Sequence, residues 1–170
     1  MIERDYIMRM MQQLGAALLR IFKLKELEHY DQALTETDSA FNELLGMTPE
    51  LMAAFDSATL AQLLGHHEKV KTAAALFDEE EKLYRLQGEH ALAQVRAQRA
   101  LELYLEAAQM QEQLDAECVA AIKRLAALLP RERLAPRYAE LMQRRELNDK
   151  NLKDHLLMEK NLRQPRRKEL

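Results

Sequence analysis

One cysteine, two serines, four glycines and four prolines in 170 residues exclude more chemistry than any motif in the chain suggests. Cys118 has no partner for an intramolecular disulfide, and a thiolate zinc site lacks ligands, so a reducing, cytoplasmic setting is expected. So few glycines and prolines argue against long loops and against a Gly-rich turn that cradles phosphate. Ser39 and Ser57 lie outside any Gly-x-Ser-x-Gly turn, and Ser57 is explained by helix capping. No run of about eighteen uncharged apolar residues exists, so no membrane-spanning helix is expected. The opening stretch mixes Glu3 and Asp5 with Arg4 and Arg9, unlike a signal peptide, and a soluble protein is expected.

Titratable clusters are equally sparse. Glu26-Leu27-Glu28-His29 contains a Glu-x-x-His spacing, but a carboxylate-bridged di-iron site needs that spacing twice, and Gln87 stands where the copy before His90 would require Glu. His66 and His67 are adjacent and point about 100° apart on a helix, so they cannot share an ion on one face. Asp78 to Glu81 lacks the alternating ligands and turn glycine of a calcium loop and reads as a solvated helix face. Nothing near Cys118 is cationic enough to activate its thiol. The expectation is therefore no enzyme, with no catalytic residue, cofactor or metal.

What the chain does have is helix formers. Apolar residues make up 48% and charged residues 31%, dominated by Ala, Leu, Glu, Gln, Arg and Met, which predicts an all-α fold. At this length one domain burying roughly 70% of the unfolded surface is expected, spanning residues 1–162 and followed by a basic, frayed tail over 163–170. Ile2, Tyr6, Met10, Leu14, Ala17, Leu18, Ile21 and Phe22 recur at helical spacing on a first helix, with Met8 off that stripe. A second helix runs from about Leu27 to Leu45, with Gly46 at its C-cap. Thr48-Pro49-Glu50 marks a helix start, since Thr can accept an orphan N–H and Pro at the first helical position loses nothing. Asp56-Ser57 restarts a helix that Gly65 closes. Further helices follow to about Leu86, from Glu89 to about Met110, after Asp115 and after Pro136. The last carries Leu152, Leu156, Leu157 and Leu162 as a thin apolar seam.

One pattern returns after sixty residues. Ala33, Ala40, Phe41, Leu44 and Leu45 are matched by Ala93, Ala100, Leu101, Tyr104 and Leu105. Small residues at one end of a helix and large ones at the other suit stacked helical hairpins. The stretch His29-Tyr30-Asp31-Gln32-Ala33-Leu34, with Ala40-Phe41, Leu44-Leu45 and Pro49, resembles the second helix of a tetratricopeptide repeat. Gly88-Glu89-His90-Ala91-Leu92-Ala93, with Ala100-Leu101, Tyr104 and Ala107, is similar. The opening Met1 to Met10 and the Thr48-Pro49-Glu50 break also resemble a family of uncharacterised small bacterial proteins with a tetratricopeptide-repeat-like helical fold. That resemblance implies irregular stacked hairpins and brings no assigned activity. The spacing is about sixty rather than about thirty-four residues, which an inserted element around residues 49 to 65 would explain.

Charge is unevenly distributed. Residues 1–120 carry 11 Lys and Arg against 21 Asp and Glu, whereas residues 121–170 carry 14 against 7. Such asymmetry permits head-to-tail self-contact or an acidic partner, and solubility alone is enough to account for it. The basic segments Arg131-Glu132-Arg133, Arg144-Arg145 and 163–168 could meet phosphates, but interleaved acids and the absence of stacking aromatics weigh against nucleic acid. The expected function is a non-catalytic protein-interaction or adaptor module, binding a helix or peptide between hairpins, with self-association as one form. Tyr6, Met10, Tyr30, Tyr84 and Tyr104 are the candidate groove residues, because amphipathic rings suit half-exposed sites and methionine adapts to irregular ones. The alternative is a regulatory module that contacts nucleic acid or an acidic protein through the basic C-terminal region.

Overall fold

Capping chemistry sets where the helices begin. Thr48 Oγ1 accepts the Leu51 N–H at 3.2 Å, Asp56 Oδ1 accepts the Thr59 N–H at 2.9 Å, and Asp115 Oδ1 accepts the Cys118 N–H at 2.8 Å. His66 serves the same purpose, its Nδ1 accepting the Glu68 N–H at 3.1 Å. Each satisfies a donor that the first helical turn leaves unpaired. The result, a computed structural model describing residues 1–162, is all-helical among those residues. The helices are α1 (Ile2–Glu26), α2 (Tyr30–Leu45), α3 (Pro49–Ala53), α4 (Ser57–Leu64), α5 (His67–Leu86), α6 (His90–Met110), α7 (Ala116–Leu128) and α8 (Pro136–Leu162), with a 3-10 turn at Arg131–Arg133. No described helix is long and apolar enough to cross a membrane. The basic tail expected over 163–170 lies outside the described residues.

The chain divides into two units, Met1–Arg133 and Leu134–Leu170. In the first, α1 pairs with α2 and α5 with α6, α2 and α1 both lie against α5, α4 rests on α6 and α5, and α7 packs on α6. The sixty-residue repeat extends to the backbone of the two hairpin turns. The Glu28 and His29 N–H groups donate to Lys25 O and Leu24 O at 3.1 and 2.9 Å, while those of Gly88 and Glu89 donate to Arg85 O and Tyr84 O at 3.1 and 2.8 Å. Both turns are therefore Schellman caps with the pivotal residue left-handed, at φ 59° for Glu28 and 79° for Gly88. Glycine adopts that region freely, whereas a side chain there is strained. Glu28→Gly is expected to raise stability by about 0.5 kcal/mol and Gly88→Ala to lower it by about 1 kcal/mol, read as opposite shifts in the urea midpoint.

Burial follows the same register. Ala33 and Ala93 are fully buried, as are Phe41 and Leu101, and Ala40 and Ala100 are nearly so. Small residues allow the helix axes to approach, and the rings behind them fill the remaining space. Phe41 meets Phe77 of α5 with ring centroids 4.7 Å apart. On α1 the expected apolar stripe divides. Ile7, Met10, Ala17 and Ile21 are buried, but Ile2, Tyr6 and Phe22 are exposed, as are Met8, Met11 and Leu19. In the second unit, α8 carries Leu152, Leu156 and Leu157 exposed to solvent, together with Leu147 and Met158.

Candidate functional site

A groove within the first unit is walled by α1 and α7, with α5 along its length and Tyr104 of α6 at its base. It comprises two adjoining pockets of about 410 and 280 Å³ that share Leu18, Ala75, Tyr104 and Glu117. Small side chains line much of the walls. Gly15 stands on α1, Ala75 on α5, and Ala120 and Ala121 on α7. Apolar surface comes from Met11, Leu14 and Leu18. The groove is an open trough of mixed polarity.

Its charged rim is largely self-neutralised. Lys71 Nζ lies 2.6 Å from Glu68 Oε1 and 3.0 Å from Asp115 Oδ2. Burial opposes the Asp115 charge, but the Cys118 N–H and the Lys71 ammonium prevail and hold its carboxyl down at about 2. Lys82 reaches Glu79 at 2.6 Å and Asp78 at 3.7 Å. Arg124 pairs with Asp78, and its other nitrogen lies 3.5 Å from Glu81. Glu117 lines both pockets and is exposed, with no ionic partner among the described residues. Burial and the neighbouring Asp115 carboxylate push the Cys118 thiol up to about 12, so it is inert as a nucleophile.

The acidic run of α5 corrects the expectation of a solvated face. Asp78, Glu80 and Glu81 are buried, at 5%, 2% and 1% exposure. Arginines on α5 itself and on neighbouring helices make this tolerable, because a buried carboxylate must be paired. Arg124 of α7 serves Asp78 and Glu81, Arg85 of α5 serves Glu81, and Arg96 of α6 lies 2.7 Å from Glu80. The Glu80–Arg96 contact is ionic and poorly aligned, since neither Glu80 Oε2 nor Arg96 Nε makes a hydrogen bond. Burial, with Asp38 and Glu50 adding repulsion, pushes the Glu80 carboxyl up to about 7 against the pull of Arg96.

Of the five residues singled out in the sequence, the structure brings Tyr104 to the groove. Its ring is buried, and burial together with Asp78 raises its hydroxyl pKa. Met10 lies in the core at 2% exposure. Tyr6 is half-exposed under the Lys69 ammonium, 5.2 Å from the ring centroid. Tyr84 lies beneath Arg96 at 5.9 Å, and Tyr30 is half-buried at the start of α2. Neither pocket includes these four. Met11, Leu18, Ala75, Ala120 and Glu117, which do line the groove, are not among those five. The available signal was the off-stripe Met8, the first sign that α1 carries apolar residues beyond its core-facing set.

Among the described residues no group of three or more His, Cys, Asp and Glu is placed to hold a metal. No protein-family model, curated protein or solved structure matches the chain.

Proposed function

We propose that this chain is a non-catalytic interaction module that receives a helix or extended peptide in the groove between α1, α5 and α7. The observation that carries the reading is the origin of the walls. α1 and α5 are the first helices of two hairpins with matching turns, and α7 continues the series after α6. A tetratricopeptide-repeat-like stack presents its first helices to one concave surface in this way. The sequence of contacts, α1 with α2, α2 with α5, and α5 with α6, supports that arrangement. The inserted pair α3–α4 accounts for the long spacing between hairpins.

The test is a comparison of variants in affinity capture from the native host. Ala120 is exposed and lines the groove, so Ala120→Arg should block the trough without disturbing the core. Captured partners are expected to bind at least about tenfold more weakly to this variant, since a bulky charge in a docking site is strongly disfavoured. Deleting residues 163–170 should leave capture intact. Loss of capture on that deletion, with Ala120→Arg behaving as wild type, would instead favour contact through the basic C-terminal region.

A further inference from the structure

Helix α1 carries more apolar surface than its neighbours α2 and α5 cover. Beside its buried stripe runs a second seam of Met8, Met11, Gly15, Leu18 and Phe22. The spacing alternates three and four residues, which keeps the seam on one face over about 21 Å. Met8 is 51% exposed, Met11 47% and Phe22 48%. At the centre, Gly15 is exposed, and a Cβ built on it would meet nothing within 4 Å, so another backbone can approach there. Met11, Gly15 and Leu18 are also the α1 wall of the groove.

The ends of the seam decide what covers it. Arg4 precedes Met8 by one turn and Glu26 follows Phe22 by one turn, each eleven positions from Gly15. Both are exposed, and neither has an ionic partner among the described residues. When two such helices run antiparallel and cross at Gly15, Arg4 of one opposes Glu26 of the other. Met8 then opposes Phe22, Met11 opposes Leu19 beside the seam, and Leu18 opposes Gln12. The same pairings recur on the other side of the axis, as a two-fold contact requires. The charges at the ends and the large apolar residues next to them are therefore complementary to themselves.

We infer that the groove's occupant is α1 of a second copy, docked antiparallel about Gly15 to form a symmetric dimer. This inference rests on the groove reading above and names its ligand. The alternating three-four spacing matches the shallow crossing of antiparallel bundle helices. The Arg4–Glu26 pairs fix the register and exclude the parallel arrangement, which would place like charges together.

Sedimentation velocity of the full chain across a concentration series, at low salt, tests this. The wild type is expected to dimerise. R4E and E26R should each weaken dimerisation by at least about tenfold, because each opposes like charges twice per dimer. The double variant R4E/E26R should restore it. Thermal melting followed by circular dichroism, at a concentration low enough for all four proteins to be monomeric, should be the same for all four and separates association from folding. A wild type that stays monomeric, a dimer indifferent to both reversals, or a double variant that fails to recover would each overturn the inference. If the wild type is monomeric while A120R still reduces partner capture, self-docking is wrong and the groove reading stands. If A120R alters neither capture nor association, the groove reading fails as well.

Discussion

Replacing Arg96 with methionine is expected to lower stability by about 1–2 kcal/mol at pH 8, because a carboxyl that titrates near 7 takes up a proton and so escapes most of the usual cost of a broken buried ion pair. Arg96 is the cation nearest Glu80, and its guanidinium also lies over the rings of Phe77 and Tyr84 at 5.6 and 5.9 Å. Methionine keeps much of the length of the stem and its apolar contacts, so the loss falls mainly on electrostatics. Glu80 and Asp38 face that cation, and Glu50 stands near both acids. Glu80 comes from α5, Asp38 from α2 and Glu50 from α3, and the carboxyl pKa of Asp38 is raised by burial and by Glu50. The cost should shrink on acidification, because a protonated Glu80 needs no counter-charge.

The wild-type chain should carry its own pH signature at the same place. Glu80 releases its proton near pH 4.5 in the unfolded chain but near pH 7 in the folded one. Across that window the folded state holds more protons, so stability falls as pH rises, by an amount on the order of 3 kcal/mol when complete. Asp38 contributes with the same sign. Glu80→Gln should remove the Glu80 part of the slope and be as stable as wild type, or more so, at pH 8. Urea unfolding of the three proteins at pH 5 and pH 8 measures all of this. A wild-type stability that rises between those values would refute the assignment.

Phe77→Ala should cost about 3–5 kcal/mol, the range for removing a fully buried aromatic ring. Phe77 is 1% exposed and lies tilted at 51° against Phe41, joining the core of the first hairpin to that of the second. A double-mutant cycle with Phe41→Ala should return a coupling of about 0.5–1.5 kcal/mol, which isolates the ring–ring contact from the general loss of burial. Near-additive effects would mean that the two hairpins do not depend on that contact.

Local features were legible in the sequence and distant ones were not. Thr48, Asp56 and Asp115 cap the helices that their spacing predicts, and Gly46 and Gly65 close theirs in the left-handed conformation. Each depends on atoms three or four residues away. Burial of Ala33 and Ala93 was also readable, because a repeat copies its packing along with its sequence. The acids of α5 were misread because, besides local Lys82 and Arg85, their counter-charges stand on other helices. Arg124 lies 46 positions from Asp78, and no local window connects them. The groove was missed for the same reason. Tyr104 entered it from the list of rings, while Ala75 and Ala120 have nothing in their own neighbourhoods to mark them. They matter only where α5 and α7 face across open space.

Side-chain packing between leucines and alanines is forgiving, and a rod lined with them can turn a little about its long axis without losing much. The carboxylates of α5 remove that freedom. Glu79 reaches toward Lys25 on α1, Glu80 toward Arg96 on α6, and Asp78 toward Arg124 on α7. Three directions around one axis admit a single azimuth, so this helix is keyed like a shaft in its hub, and its neighbours take their orientation from it.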